Sequence, residues 1–223
     1  MDKKLIVANW KSHKTSQEAI QFLNEFKEGL QTLDLTSKEI IILPQFTAIP
    51  ACFDFIKENN LPISLGAQTV SSFEEGPYTG EVSASQIKPF CKYVLLNHSE
   101  RRKYYKEGDE ELKMKFEEAK KVDIFPIVCL QGTDSYFPEG DEIIVYEPPS
   151  AISTFGIGKP ETKEDVSVAT KALSEKSKGQ ILYGGSVSSN DISEYLGIEG
   201  LSGFLVGAAS LDASSFLSLL NKC

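Results

Sequence analysis

Glu147 closes an apolar run, Ile143-Ile144-Val145-Tyr146, and is followed by Pro148-Pro149. A short β-branched run of this kind reads as a buried strand. The carboxylate therefore stands where that strand meets solvent. Pro148 restricts Glu147 to extended backbone, and Pro149 does the same to Pro148. Ser150 begins a loop that contains Gly156 and Gly158. A rigidly aimed carboxylate beside such a loop suits proton abstraction under a lid. The segment fits equally well a helix-capping or salt-bridged glutamate in a plain strand–helix turn.

Other reactive residue types fall at similar places. Asn9 and Lys11 follow one apolar run, and Asn97, His98 and Ser99 follow another. Gly184-Gly185-Ser186 and Gly207-Ala208-Ala209-Ser210 follow two more. Each has an ordinary reading: a surface lysine, a satisfied core histidine, a turn, a serine N-cap. Their shared position at the ends of successive strands favours a common site. Glycine-rich turns that open into helices can point backbone N–H groups at a phosphate. Lys11 would add charge for an anionic ligand.

The elements that must position these groups are eight short apolar segments. They span residues 5–8, 40–43, 63–67, 93–96, 124–130, 143–146, 181–183 and 204–206. Most lack polar alternation, so both faces should be covered. Helical patterns lie between several of them. Thr15 and Glu18 form a capping box ahead of Ile20, Leu23, Phe26 and Leu30. Thr162 precedes Val166, Ala169 and Leu173 on one helical face, and Asp109 precedes Leu112, Phe116 and Ala119. Strand alternating with helix predicts an α/β fold, a closed (β/α)8 barrel filling one domain over residues 1–223. An open doubly wound sheet is the alternative. Such barrels typically run to about 250 residues, and this chain has 223. The shortfall maps to residues 131–142, where Gly132, Pro138 and Gly140 oppose a helix. Extended, that stretch reaches ~40 Å, more than the ~17–20 Å of one strand. The helix after the fifth strand is expected to be absent or reduced to a turn, with Tyr136 and Phe137 covering the exposed barrel face.

The formal net charge is −9, with both signs mixed along the chain. That disfavours nucleic acid or an anionic membrane as a partner. Cys52, Cys91, Cys129 and Cys223 are far apart, and with His13 and His98 they make no metal-ligand spacing. No metal or cofactor is expected. The N-terminal apolar run is too short for a signal peptide or a membrane span. A reduced, soluble, cytoplasmic protein is the expectation.

Six segments in order make the chain resemble the triosephosphate isomerase family, whose fold is the TIM barrel. They are Ala8-Asn9-Trp10-Lys11, Pro77-Tyr78-Thr79-Gly80-Glu81, His98-Ser99-Glu100-Arg101-Arg102, Tyr146-Glu147-Pro148, Tyr183-Gly184-Gly185-Ser186-Val187 and Leu205-Val206-Gly207-Ala208-Ala209-Ser210-Leu211. The resemblance implies interconversion of dihydroxyacetone phosphate and glyceraldehyde 3-phosphate through an enediolate. Glu147 would be the base, His98 a neutral electrophile, Lys11 the cation and Asn9 an orienting group. The pairing of a glutamate base with a neutral histidine is an established feature of this family, not something deduced from spacing. Glu100, Ser99 and Cys129 would support these groups. Ser153, Ser186, Gly207 and Ala208 would hold the phosphate. A lid over residues 149–159, including Pro149, Ser150, Ala151, Ile152, Thr154 and Lys159, would close behind the rigid Pro148. Tyr183 and Ser186 would bond the closed lid. The resemblance also implies a homodimer, with His13 near the interface and Thr79 reaching the partner's site. A tetramer is a further option, through the barrel face that the missing helix leaves bare.

Several positions depart from the family pattern. Ser150 stands for a tryptophan, Ser153 for a phosphate-gripping glycine, and Phe155-Gly156-Ile157 lengthens the lid. Ala208 replaces a glycine, where a left-handed backbone would cost roughly 1–2 kcal/mol. Asn97 replaces the glycine more often found before the histidine. A binding or scaffold protein that kept the barrel but lost turnover, and another phosphosugar barrel enzyme that shares just the phosphate loops, are the competing readings, and the intact set of Lys11, His98 and Glu147 opposes both.

Overall fold

The computed structural model describes residues 3–138, 142–152 and 159–223. Eight parallel strands close into a barrel in sequence order. They are β1 (Lys4–Asn9), β2 (Lys38–Leu43), β3 (Ile63–Ala67), β4 (Tyr93–Leu96), β5 (Phe125–Leu130), β6 (Ile143–Tyr146), β7 (Ile181–Tyr183) and β8 (Leu201–Val206). Strand β1 pairs with both β2 and β8, which closes the ring. The doubly wound alternative is thereby excluded.

Side chains alternate across each strand. Leu5, Val7, Ile41, Leu43, Leu95, Ile127, Cys129, Val145, Leu182 and Leu205 form one cluster inside the ring. Ile6, Ala8, Ile40, Ile42, Val94, Leu96, Ile144 and Phe204 face outward and join a larger cluster beneath the helices. This two-sided burial is why the strands read as continuous apolar runs.

The helices are α1 (Ser16–Leu30), α2 (Ile49–Glu58), α3 (Ala84–Ile87), α4 (Ser99–Tyr105), α5 (Asp109–Lys121), α6 (Lys163–Ser174), α7 (Ile192–Tyr195) and α8 (Ala213–Lys222). Thr15 and Glu18 form the expected capping box on α1, and Thr162 caps α6. Ala19, Phe22, Leu23, Phe26 and Leu30 bury the inner face of α1. Between β5 and β6 the described residues contain no helix, only a turn in which Ser135 N–H donates to the Gly132 carbonyl at 3.2 Å. Phe137 packs against the outer core, as expected. Tyr136 does not join it and is 45% exposed.

The register shifts between β7 and β8 near Leu182, which lies opposite Gly203. Gly203 has φ 154°, and a Cβ there would sit 1.9 Å from the Leu5 carbonyl oxygen. Only glycine lets β8 pass β1 this closely. Gly203→Ala is expected to cost about 3 kcal/mol or more. Thermal unfolding would read this; an unchanged midpoint would contradict the close approach.

Candidate active site

The C-terminal ends of β1, β4, β6, β7 and β8 converge on one cleft of about 420 Å³. Its lining includes Asn9, Lys11, His98, Glu147, Ala151, Ile152, Ser186, Gly207 and Ala208. Residues far apart in sequence meet there because all strands run the same way around a closed ring.

Glu147 follows β6 and is 2% exposed. Its N–H donates to the Leu130 carbonyl at 2.8 Å, which extends the β5–β6 pairing by one bond. Oε2 accepts the Ser99 N–H at 3.2 Å. Oε1 faces His98 Nε2 at 3.2 Å. Gly184, just after β7, leaves room for this side chain, since a Cβ there would lie 2.9 Å from Glu147 Cγ. The Cys129 thiol is buried near Glu147; burial and then that carboxylate hold the thiol's pKa well above its usual value. Cys129 is thus an inert buried thiol near Glu147, not a nucleophile.

His98 is the N-cap of α4, and its Nδ1 accepts the Glu100 N–H at 3.2 Å. This bond places the ring proton on Nε2, toward Glu147, and describes a neutral imidazole. Burial lowers the ring's pKa, while Glu147 and then Glu100 raise it, with a net rise. Most of that rise comes from the carboxylate of Glu147 itself. It weakens when Glu147 turns away or takes up a proton, which favours the neutral imidazole.

Lys11 holds a left-handed backbone, φ 52°. Its N–H donates to Asn9 Oδ1 at 3.0 Å. Its carbonyl accepts Gln45 Nε2 at 2.7 Å and Gln68 Nε2 at 2.8 Å. These bonds fix a conformation that an L-residue otherwise disfavours. Nζ pairs with Glu100 Oε1 at 2.7 Å, so Glu100 aims the cation. Gln45 and Gln68 were not picked out in the sequence. Their signal is position alone: each follows a barrel strand, β2 or β3.

Gly207 and Ala208 lead into a 3-10 turn, Ala208–Ser210, at the end of β8. Ala208 does not take the positive φ that would strain it. Ser186, expected both to hold phosphate and to bond the lid, is bonded here to the start of the lid segment. Its N–H and its hydroxyl both donate to the Ala151 carbonyl, at 3.0 and 2.8 Å. It therefore ties the base of the lid, a 3-10 turn at Pro149–Ala151, to the loop after β7. Phosphate binding by its N–H requires exchange of that bond.

The described residues that follow the expected lid are tied as well. Tyr183 Oη accepts the Glu161 N–H at 3.0 Å, and Tyr195 Oη donates to the Glu161 carbonyl at 2.7 Å. Ser150, in the tryptophan position, bonds through its hydroxyl to the Glu161 carboxylate. Lys159 N–H reaches the Ser150 carbonyl at 3.3 Å. Pro148, Ala151 and Ile152 are buried, while Pro149, Ser150 and Lys159 are exposed. Ser153 and Thr154 lie outside the described residues. His13 and Thr79 are exposed and do not line the cleft. Tyr183→Phe is expected to lower kcat/KM about tenfold, the equivalent of one hydrogen bond. Steady-state kinetics at matched protein concentration would read it, and wild-type kinetics would remove Tyr183 from lid function.

The family model for triosephosphate isomerase matches residues 4–223. The chain is 36% identical to triosephosphate isomerase of Thermus thermophilus, over 99% of this chain and 98% of that protein. It is 34% identical to triosephosphate isomerase of Dictyoglomus turgidum, with 100% of both covered. The fold is similar to a crystal structure of triosephosphate isomerase from Bartonella henselae, with a TM-score of 0.83 and 26% identity over 99% of this chain and 98% of that one.

Proposed function

The chain belongs to the triosephosphate isomerase family, and on that premise we propose that Glu147 is the base and His98 the electrophile of its reaction. The reaction is the aldose–ketose isomerisation of glycolysis, between dihydroxyacetone phosphate and D-glyceraldehyde 3-phosphate. Glu147 takes a proton from C1 of the ketose and returns it to C2. His98 Nε2–H donates to the substrate oxygen on which charge develops. The observation that carries this reading is the facing of Glu147 Oε1 and His98 Nε2 at 3.2 Å beside Lys11 in the strand-end cleft. A substrate entering between them replaces that contact with one to each group. Lys11, aimed by Glu100, offsets the charge of phosphate and enediolate, and Asn9 orients the substrate. Ser186, Gly207 and Ala208 hold the phosphate, together with Ser153. The lid keeps water from the enediolate.

The test is a coupled assay with glyceraldehyde 3-phosphate. Turnover with ordinary Michaelis kinetics is expected. No turnover by folded wild-type protein would overturn the reading.

We also read the chain as a single cytoplasmic domain that works as a homodimer. No helix among the described residues is long and apolar enough to cross a membrane. Supporting a dimer, Phe73 and Tyr78 stack with centroids 4.4 Å apart, though 42% and 38% exposed. An exposed aromatic pair on a projecting loop is suited to burial against a second copy. Sedimentation at micromolar concentration is expected to give at least the dimer mass. Monomer mass alone would remove the proposal, and dimer mass alone at high concentration would remove the tetramer.

A further inference from the structure

His98 and Glu147 come from β4 and β6, which do not touch, since β5 lies between them. Besides the direct Ser99 N–H bond to Glu147, the end of β5 between them helps to set their 3.2 Å separation. On the β6 side the link is the Glu147 N–H bond to the Leu130 carbonyl, at 2.8 Å. On the β4 side the backbone pairing stops at Leu96 opposite Val128. The next residue, Asn97, turns left-handed, φ 60°, to start α4, so its backbone leaves the ladder.

We propose that Asn97 is a positioning residue for the isomerase reaction, its side chain supplying the β4–β5 bond that its left-handed backbone gives up. Asn97 is 3% exposed. Its Nδ2 donates to the Cys129 carbonyl at 2.7 Å, one residue beyond the last backbone pair. Its Oδ1 accepts Arg102 Nη1 at 2.8 Å. Gln131 Nε2 reaches its carbonyl at 3.4 Å. One amide thus joins the end of β5, the first turns of α4 and the backbone that precedes His98. Asn suits the place twice, because it tolerates the left-handed region and carries both a donor and an acceptor. Glycine would satisfy the backbone and keep the long Gln131 bond to its carbonyl, but lose the short side-chain bond to the Cys129 carbonyl. A misplacement near 1 Å at such a site can lower rates by as much as ~10²-fold.

The inference rests on His98 and Glu147 being the reacting pair. The test compares Asn97→Gly and Asn97→Asp with wild type, alongside Glu147→Gln. Asn97→Gly keeps the backbone free to turn and removes the side-chain link. Asn97→Asp keeps the Arg102 partner but loses the donor to Cys129. In both, kcat is expected to fall on the order of 10-fold or more, with KM within about twofold. The acid limb of the kcat/KM pH profile should shift, since the His98–Glu147 contact has changed. Wild-type kcat and pH profile in either folded variant would overturn the proposal. So would a loss that only tracks the folded fraction, with the profile unmoved. If Glu147→Gln keeps its turnover, the assignment of the pair fails; if it is inactive while Asn97→Gly behaves as wild type, only Asn97's role fails.

Discussion

Glu147→Gln is expected to lower kcat about 10³-fold with little change in KM. Glutamine preserves the shape of the side chain and an oxygen that can still accept the Ser99 N–H. It cannot take up the substrate proton. Of the other carboxylates near the cleft, Glu100 is bonded to Lys11, and Asp191 accepts the Ser188 N–H and hydroxyl. The same substitution has a second readout. The charge of Glu147 is the largest influence raising the pKa of His98 against burial. Removing it should lower that pKa, by the sign of the lost attraction. NMR titration of the His98 ring would measure the fall. Rapid turnover in Glu147→Gln would remove it as the base, and an unmoved His98 pKa would contradict their contact.

Ser186→Asp should raise KM for either triose phosphate by about 10²–10³-fold. The physical argument is repulsion between a carboxylate and the phosphate in the same cleft. At ~4 Å and an effective dielectric near 20, two unit charges interact by about 4 kcal/mol. Lys11, which lines the same cleft beside Gly207, offsets part of this. Ser186 also anchors the lid base through the Ala151 carbonyl, so the aspartate would release that anchor too. Ser186→Ala separates the two effects. It keeps the N–H, loses only the hydroxyl bond, and should raise KM by no more than severalfold. Competition by inorganic phosphate provides a direct reading of the anion site. Unchanged phosphate affinity in Ser186→Asp would remove this loop from phosphate binding.

Much of this architecture is legible from residue order. A closed parallel barrel buries both faces of every strand, so its strands appear as uninterrupted apolar runs and their ends are sharply marked. That is why Asn9, His98, Glu147, Ser186 and Gly207 can be placed on one rim before any coordinates exist. The β5–β6 connection was readable for a related reason, since glycine and proline in so short a stretch oppose a helix. Phe137 and Tyr136, adjacent and chemically alike, part company only in the fold. The turn sends one ring into the core and the other into solvent, and no local pattern carries that choice.

The bonds that aim the reactive groups are a different matter. Gln45 and Gln68 share the Lys11 carbonyl, Asn97 reaches across to Cys129, and Ser186 holds Ala151. Each contact joins residues distant in the chain through side chains whose direction depends on barrel closure and on a few left-handed backbone positions. Residue types and their order were enough to mark the strands and the rim that gathers Asn9, His98 and Glu147, because burial and strand periodicity are written locally, while the ordered motifs carried the resemblance to the family. The distances between those groups, the tautomer of His98 and the tethering of the lid required the closed barrel, because hydrogen bonds across neighbouring strand ends exist only once the strands are in register.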